Sequence, residues 1–453
     1  TTNSSTLSQG LNFQPGVRVE TNCQNCGFQQ VRINGLDGPY TQILIDSRPV
    51  FSALSGVYGL EQIPASMIER VEVMRGGGSA LFGSSAIAGT INIITKEPLR
   101  NSGQLSHTIT SLGGSSSFDN NTSLNASLVT DDHRAGLYIF GQNRYRSGYD
   151  YDGDGFTELP KLKNQTVGFR SYLKTSTYSK LTFEYHHMQE FRRGGDMLNR
   201  PPHEAHIAEQ LQHSIDGGSL KFDYFSPDEK NRLSVFASAA NTDRDSYYGP
   251  GNDPLKAYGK TTDLTAMGGA QYVHTFDKCF FMPSDLTAGL EYNRDRLKDN
   301  MWGYNRHTDQ TVNIYSAFLQ NEWKNDRWGI LIGGRLDKHN MVDNVIFSPR
   351  ANLRFNPTQN INLRLSYSSG FRAPQAFDED MHIENVGGTV AMIERAKDLK
   401  EEKSQSFSVS ADMYHRFGAF QTNLLIEGFY TRLTDVFVLG KPYDRGDGIL
   451  VKT

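Results

Sequence analysis

A long meander of strand-like segments is the feature that most constrains the fold. From about residue 105 onward, runs of about ten residues alternate apolar and polar side chains, as strands with one apolar face do. The clearest of these runs are residues 135–145, 181–189, 233–241, 286–294, 312–323 and 329–338. We count about sixteen strands along the chain.

The connections between these runs alternate in length. Short turns occupy residues 130–133, 226–230, 324–327 and 356–360. Longer connections lie between them, at residues 148–164, 191–213, 244–262, 299–310 and 370–403. Short turns on one rim and long loops on the other are typical of an antiparallel β-barrel that spans a membrane. We therefore predict an all-β transmembrane fold, with a sixteen-stranded porin as the structural alternative.

Composition alone does not separate such a barrel from a soluble β protein. Of the 453 residues, 37% are hydrophobic, and the mean hydropathy is −0.52. No apolar run reaches the length of about eighteen residues that a transmembrane helix needs. Barrel strands hide their apolar surface in alternate positions, so bulk hydropathy misses them. The net charge of −4 argues against a nucleic-acid partner.

The N-terminal part of the chain follows a different pattern. Its short strand-like runs are separated by glycine-rich turns and by one predicted helical patch at residues 64–70. The strand-like runs are residues 31–33, 42–46, 71–74 and 90–94.

Three ordered sequences stand out in this region: IERVEV at 68–73, RGGGSALFGS at 75–84 and AGTINIIT at 88–95. Together they resemble the plug domain of TonB-dependent outer-membrane receptors, although Gly77 stands where the family usually has proline. It implies an N-terminal α+β plug (residues 1–100) inside an antiparallel outer-membrane barrel (residues 101–453). Porins carry no plug. The family barrel has about twenty-two strands, so we expect roughly six to be missing.

The resemblance also implies location and partners. We expect the outer membrane of a Gram-negative bacterium, with contacts to outer-membrane lipid. The sequence PGV at 15–17 resembles the start of a plug, so we expect a fragment truncated at both ends. The family's energy-coupling protein TonB would bind through a missing N-terminal segment. A small-molecule nutrient is the second partner, and a surface lipoprotein is left open as a third.

Three cysteines bear on redox chemistry. Cys23 and Cys26 form a C-x-x-C pair, and Cys279 lies far away and is expected to be inert. In a cell-envelope protein such a pair favours a local disulfide. Free thiols and a metal site are the alternatives, but zinc needs four ligands and no second pair exists.

Two plug loops, residues 36–41 and 49–62, correspond to loops that face outward and touch substrate in the family. They carry Tyr40, Phe51 and Tyr58. Aromatic side chains give large contact area at little entropic cost, so we predict substrate binding by all three. Packing of Phe51 and Tyr58 against the barrel wall is the alternative.

Three charged residues of the plug, Arg70, Glu72 and Arg75, belong to its polar surface. In the family, such charges pair with barrel residues and hold the plug in place. We therefore predict plug–barrel contacts for these three side chains, with a solvated or purely structural role as the alternative.

The first long loop contains the sequence D-x-D-x-D-G, the first half of an EF-hand calcium loop. If the first barrel strand leaves a periplasmic plug, this loop is extracellular. Carboxylates at alternate positions can surround one hard cation, but Lys161 stands where an EF-hand has its last glutamate, so another loop must complete the shell. The predicted calcium ligands are Asp150, Asp152, Asp154 and Glu158, and a solvated acidic loop is the alternative.

The connection at 370–403 begins with GFRAP, which resembles the first of two boxes that bracket an extracellular loop in these receptors, while the second box is degraded. Phe371, Arg372 and His382 are predicted substrate-binding residues. In haem receptors of the family a histidine in this interval ligates iron, with Tyr40, Tyr58 or a loop residue available here as second ligand. Both boxes also occur in siderophore and cobalamin receptors, so a merely polar loop histidine is the alternative, and haem would be a transported substrate.

The predicted function is energised import of a scarce nutrient, not enzymatic catalysis. An iron chelate (siderophore or haem) is the leading substrate class, cobalamin is the main alternative, and oligosaccharide or peptide follows. A passive porin or an adhesin is the alternative outside transport. No nucleophile–base arrangement or HExxH motif occurs, and the glycines at 76–78 are not followed by Gly-Lys-Ser/Thr of a P-loop.

Overall fold

A computed structural model describes residues 4, 6–23, 25, 27–48, 63–76, 83, 86–250, 257–376, 378–386, 389–396 and 398–453. The described chain is nearly all β. Its two α-helices are short, α1 (Leu7–Leu11) and α2 (Asp378–Met381). In this part of the chain no helix has the length and apolar sequence that a membrane crossing requires.

Five strands form the plug; the last four overlap the runs predicted there, and the first, at residues 17–23, was not predicted. They are β1 (Val17–Cys23), β2 (Phe28–Ile33), β3 (Thr41–Ile45), β4 (Ile68–Arg75) and β5 (Gly89–Thr95). β1 and β2 form an antiparallel hairpin. β5 lies between β3, to which it is parallel, and β4, to which it is antiparallel. Between these layers lies a hydrophobic core that includes Leu11, Ile33, Ile91 and Ile93.

The predicted helical patch at residues 64–70 is wrong in its extent. A single 3-10 turn, Ala65–Met67, is followed at once by β4. The reason is that Ile68 and the residues from Arg70 onward pair with β5, with an irregular step between Ile68 and Arg70. Pairing with a buried neighbouring strand outweighs the local helical pattern.

Fifteen strands form one large antiparallel sheet. They are β6 (Ser102–Ser111), β7 (Phe118–Val129), β8 (Ala135–Arg146), β9 (Lys161–Ser176), β10 (Ser179–Gly195), β11 (Ile207–Phe225), β12 (Asn231–Pro250), β13 (Tyr258–Cys279), β14 (Met282–Met301), β15 (Arg306–Lys324), β16 (Trp328–His339), β17 (Ile346–Thr358), β18 (Ile361–Arg372), β21 (Glu402–Phe417) and β22 (Phe420–Thr434). Each strand pairs with the next in this order.

The polarity of the two faces of this sheet is the reverse of that in a soluble β protein: the buried face is polar and the exposed face is apolar. On β8, Gln142, Arg144 and Arg146 are buried, whereas Ile139 and Tyr145 are exposed. The same alternation recurs along the other strands, with exposed apolar residues such as Leu290 and Leu319 on one face. Apolar side chains outside and polar side chains inside are what a barrel in lipid requires.

The predicted long loops at 191–213 and 244–262 are mostly strand. β10 and β11 stay paired up to Gly195↔Ala208, and β11 and β12 up to Ile207↔Pro250. A strand of 22 residues such as β13 exceeds the roughly ten residues that cross a bilayer. The strand ladders therefore extend beyond the membrane and shorten the loops. We refer to the end of the barrel that carries Gly195, Ala208 and Pro250 as the loop end.

A small sheet fills the loop end from inside. It contains β19 (Glu384–Val386), β20 (Thr389–Ile393), β23 (Tyr443–Asp444) and β24 (Ile449–Lys452), in the order β19-β20-β24-β23. Its buried residues Met392 and Val451 pack with Tyr247 and Tyr304 of the barrel. β24 pairs with β20 rather than with β22, so it does not extend the barrel sheet, whose fifteen described strands agree with the prediction of about sixteen.

Candidate functional site

Two of the predicted substrate-binding residues meet at one carboxylate. Tyr40 ends the 3-10 turn before β3, and its hydroxyl donates to Glu402 Oε1 at 3.1 Å. Arg372 is the last residue of β18 and lies opposite Glu402, the first residue of β21. Its Nη1 is 3.6 Å from Glu402 Oε2. The plug therefore contacts the loop end of the barrel through a fully buried carboxylate.

Aromatic rings enclose the Arg372 guanidinium on two sides. Its Cζ lies 5.9 Å from the centre of the Tyr40 ring and 5.3 Å from that of Phe437. The Phe437 amide donates to Glu402 Oε1 at 2.5 Å. Burial, together with the nearby Glu402 charge, raises the pKa of Tyr40 to about 12. Tyr40 is thus a protonated donor at neutral pH, next to a cation held by aromatic faces.

Phe371 has a supporting position. Its side chain is 1% exposed and packs with Val342, Ile346 and Ala373. Since neighbouring residues on a strand point to opposite faces, Phe371 cannot share the contact that Arg372 makes with Tyr40. The structure brings Tyr40 and Arg372 together but leaves Phe371 in a separate hydrophobic cluster.

His382 lies in a second contact between plug and barrel. Its Nε2 is 3.5 Å from Glu209 Oε2 at the start of β11. The same oxygen accepts a hydrogen bond from Cys23 Sγ at 3.0 Å. The His382 ring meets Tyr248 edge to face, with centroids 5.3 Å apart. Burial lowers the pKa of His382, but hydrogen bonds to Cys23 and Glu209 outweigh it and raise the pKa to about 10.

Three of the predicted residues, Cys26, Phe51 and Tyr58, lie outside the described residues. The Cys23–Cys26 disulfide and the substrate contacts of the two aromatic residues therefore stay predictions. Haem ligation by His382 also stays a prediction, and in this structure its imidazole faces the Glu209 carboxylate.

The three predicted plug–barrel residues behave differently from one another. Arg75 Nη2 lies 2.9 Å from Glu427 Oε2 on β22, so Arg75 contacts the barrel. Arg70 instead pairs with Glu72 on its own strand, with Nε and Oε1 2.8 Å apart. These two residues face the same side of β4, two positions apart, which brings their charges together within the plug.

Sequence reasoning missed an ion network between plug and barrel. Arg170 on β9 contacts three carboxylates: Asp46 at 2.6 Å and Glu97 at 3.2 Å, both N-terminal to the barrel strands, and Glu184 on β10 at 2.7 Å. Glu184 also faces Arg170 directly in the strand register. Arg170 and Asp46 are 124 positions apart, and no local motif marks either residue.

The acidic loop forms a tight turn in which three of four predicted ligands converge. Ligand atoms of Asp150, Asp152 and Glu158 lie within 4.8 Å of one another. Asp150 accepts hydrogen bonds from the amides of Gly153 and Gly155, at 2.7 and 2.9 Å. Both glycines have positive φ, 80° and 93°, which L side chains rarely adopt.

Asp154 is separate from this group. Its Oδ1 accepts the amide of Phe156 at 2.8 Å. The structure therefore brings Asp150, Asp152 and Glu158 together and leaves Asp154 outside this group.

The segment that carries His382 is anchored to the barrel wall. Arg306 Nη2 donates to the Met381 carbonyl at 2.7 Å and to Asp299 Oδ2 at 2.9 Å. Gln310 accepts the amide of Ala376 at 2.8 Å. These bonds place the residues around His382 inside the loop end, above the plug.

Comparison with known proteins identifies the family. The family model "TonB dependent receptor-like, beta-barrel" matches residues 90–448, and "TonB-dependent Receptor Plug Domain" matches residues 1–90. A ferric enterobactin receptor of Pseudomonas aeruginosa is 36% identical over 107 residues, 21% of this chain and 14% of that protein. The vitamin B12 transporter BtuB of Vibrio vulnificus is 23% identical over 394 residues, 83% of this chain and 59% of that protein.

The chain thus spans less than two thirds of either curated relative. The crystal structure of the siderophore receptor PirA from Acinetobacter baumannii matches with a TM-score of 0.80 and 18% identity, covering 99% of this chain and 73% of that one. At that identity the likeness establishes the fold alone. The matched models cover nearly the whole sequence, so this chain belongs to the family of TonB-dependent receptors, β-barrel proteins of the Gram-negative outer membrane.

Proposed function

We propose that this protein imports an iron chelate of the siderophore class across the outer membrane, with energy supplied by TonB. The observation that carries the proposal is the contact of Tyr40 and Arg372 at Glu402, which joins the plug to the extracellular end of the barrel. The names of similar proteins support the same substrate class, since a curated relative is a ferric enterobactin receptor and a structural neighbour is a siderophore receptor.

Charge and aromaticity favour an anionic, aromatic chelate. Arg372 offers a fixed cation between the rings of Tyr40 and Phe437. Guanidinium groups bind oxyanions through paired hydrogen bonds, and aromatic faces add contact area. A ferric catecholate carries both negative charge and aromatic rings, so it matches this arrangement.

The same carboxylate provides a route from ligand to plug. Glu402 accepts from Tyr40 and from the Phe437 amide and lies beside Arg372. An anion that engages Arg372 competes with Glu402 for that cation. This competition changes the charge around Glu402, the acceptor of the Tyr40 hydrogen bond. The plug must break that hydrogen bond before TonB can move the plug.

Cobalamin is the second candidate substrate. The vitamin B12 transporter of Vibrio vulnificus matches over 394 residues, far more of this chain than the ferric enterobactin receptor does. Its identity is lower, at 23% against 36%. The longer match favours cobalamin, and the more identical match favours an iron chelate. We rank the iron chelate first because of the residues around Arg372.

We propose calcium as a structural ion of the loop at residues 150–158. The convergence of Asp150, Asp152 and Glu158 supports it, because hard oxygen ligands in a tight glycine turn suit calcium. Bound calcium would offset the repulsion of these carboxylates and order an extracellular loop.

Calorimetry on the full-length receptor tests the substrate class. We expect saturable binding of a ferric catecholate, weakened about tenfold or more by Arg372→Gln. Arg364→Gln is the matched control, because Arg364 is an exposed residue of the same strand that contacts Asn362. Binding of cobalamin with no binding of iron chelates would replace the proposed substrate with the second candidate.

A further inference from the structure

We infer that Cys23, Glu209 and His382 form a binding site for one divalent transition-metal ion of the zinc class. The inference goes beyond the proposed function, because this ion is held by side chains of the protein and not inside an imported chelate. The three residues come from plug strand β1, barrel strand β11 and the segment after α2. No two of them are near one another in sequence.

The distances fit a metal site. One ligand atom from each side chain lies within 4.8 Å of the other two. Cys23 Sγ is 3.0 Å and His382 Nε2 is 3.5 Å from the same oxygen of Glu209. In a tetrahedral zinc site, bonds of about 2.3 Å to sulfur and about 2.0 Å to nitrogen and oxygen put the ligand atoms roughly 3.3–3.5 Å apart. Small side-chain adjustments are enough to admit the ion.

The donor set selects the type of ion. A thiolate and an imidazole are soft or borderline ligands that suit zinc and its neighbours in the first transition row, whereas calcium and magnesium take oxygen only. Three protein ligands leave one position for water or for a further ligand. The sequence pair Cys23-x-x-Cys26 by itself lacks the ligands that zinc requires, and Glu209 and His382 supply two of them.

The surroundings favour a fixed site. The Glu209 side chain is 6% exposed and the His382 side chain is 16% exposed. Tyr248 packs edge to face on the His382 ring, and the neighbouring Ile383 is buried in the adjoining hydrophobic cluster. Ligands held by packing lose little freedom when the ion binds, which is what a selective metal site needs.

The backbone around Cys23 is built for close approach to the barrel. The tip of the β1–β2 hairpin lies against β10, where a Cβ on Gly194 would collide with the carbonyl of Asn25. Glycine at this position lets the hairpin reach the wall. Because the three ligands belong to plug, barrel wall and inner loop, one bound ion would cross-link all three.

The predicted Cys23–Cys26 disulfide competes directly with this site. A disulfide removes the thiolate that must bind the ion. Metal binding is therefore a property of the reduced protein, and oxidation abolishes it.

Cobalt(II) added to the reduced full-length receptor tests the inference, because a cysteine thiolate gives bound cobalt a charge-transfer absorption band. We expect one equivalent of cobalt with this band, displaced by zinc. The band should disappear in Cys23→Ser. In His382→Ala and Glu209→Gln, zinc affinity should fall by about tenfold or more. Heat-dependent migration in gels checks that each variant barrel is folded.

Two variants serve as matched controls. Cys279→Ser removes the cysteine at the β13–β14 turn, and His206→Ala removes a histidine that pairs with Asp196. Both should keep the band. Absence of the band in reduced wild type, its survival in Cys23→Ser, or a Cys23 thiol that resists reduction would each overturn the inference.

Discussion

The phenol of Tyr40, in the plug, donates a hydrogen bond of 3.1 Å to the buried carboxylate of Glu402, on barrel strand β21. A hydrogen bond to a charged group contributes about 1.5–3 kcal/mol. Tyr40→Phe should therefore destabilise docking of the plug by about that amount. Hydrogen exchange of the β3 amides should become faster.

Tyr145→Phe is the control for this substitution. Tyr145 lies on β8 and is 42% exposed on the apolar face. Removal of the Tyr145 hydroxyl should leave hydrogen exchange of the β3 amides unchanged. Equal exchange in Tyr40→Phe and wild type would contradict a role for the hydrogen bond in holding the plug.

The Arg170 network should be the stronger of the plug contacts. Arg170→Gln leaves Asp46 and Glu184, both mostly buried, without their shared cation. Removing one partner from a buried ion pair costs about 3–5 kcal/mol. We expect the plug of this variant to unfold at a lower urea concentration than the wild-type plug. Proteolysis of the plug strands measures this unfolding.

A second substitution separates charge from packing in this network. Asp46→Asn in the Arg170→Gln background should restore part of the lost stability, because it removes one of the stranded carboxylates. If the stability lost in the double variant equals the sum of the losses in the two single variants, the network is not coupled as described.

Calcium should protect the loop at residues 150–158 from proteolysis. The protection should be lost when Asp150 and Asp152 are both changed to asparagine, since calcium binding depends on the number of charged ligands. The control changes Asp131 and Asp132, in the short turn at the opposite end of the barrel, to asparagine. Cleavage that is insensitive to calcium in wild type would contradict the proposed site.

The pair of Asp196 and His206 should make one connection at the loop end sensitive to pH. Burial tends to raise the pKa of Asp196, but the His206 ring and the amides of His206 and Ile207 donate to its carboxylate and lower the pKa overall. A lowered folded pKa stabilises the loop above the unfolded value of about 3.9, and the gain is lost as the pH falls through the folded pKa.

Amide exchange at Ile207 measures this effect. Wild type should protect the amide better than Asp196→Asn at neutral pH, and the two should converge once the pH is below the folded pKa of Asp196. A difference that persists unchanged in acid would mean that the Asp196 charge is not responsible.

Much of the architecture follows from local pattern. Four of the five plug strands were predictable from short alternating runs between glycine turns. The barrel strands were predictable because side chains alternate with a period of two where one face meets lipid. The lengths of the strands were not, since β10 and β11 continue as a ladder past the membrane for reasons of pairing between them.

The candidate site was predictable only in part. Tyr40, Arg372 and His382 lie in segments that resemble family motifs, and each proves to contact a carboxylate. Glu402 lies in the degraded second box, Glu209 belongs to no motif, and the two are 362 and 186 positions from their plug partners Tyr40 and Cys23. Contacts over such separations are set by the closed fold, and one sequence gives no local signal for them.

Uptake of a radio-iron-labelled ferric catecholate tests the central claim most directly. The full-length receptor would be the sole siderophore receptor in the outer membrane of the test cells, with and without TonB. We predict saturable uptake that requires TonB and falls by about tenfold or more in Arg372→Gln but not in Arg364→Gln. No uptake of iron chelates in cells that take up cobalamin through this receptor would contradict the account.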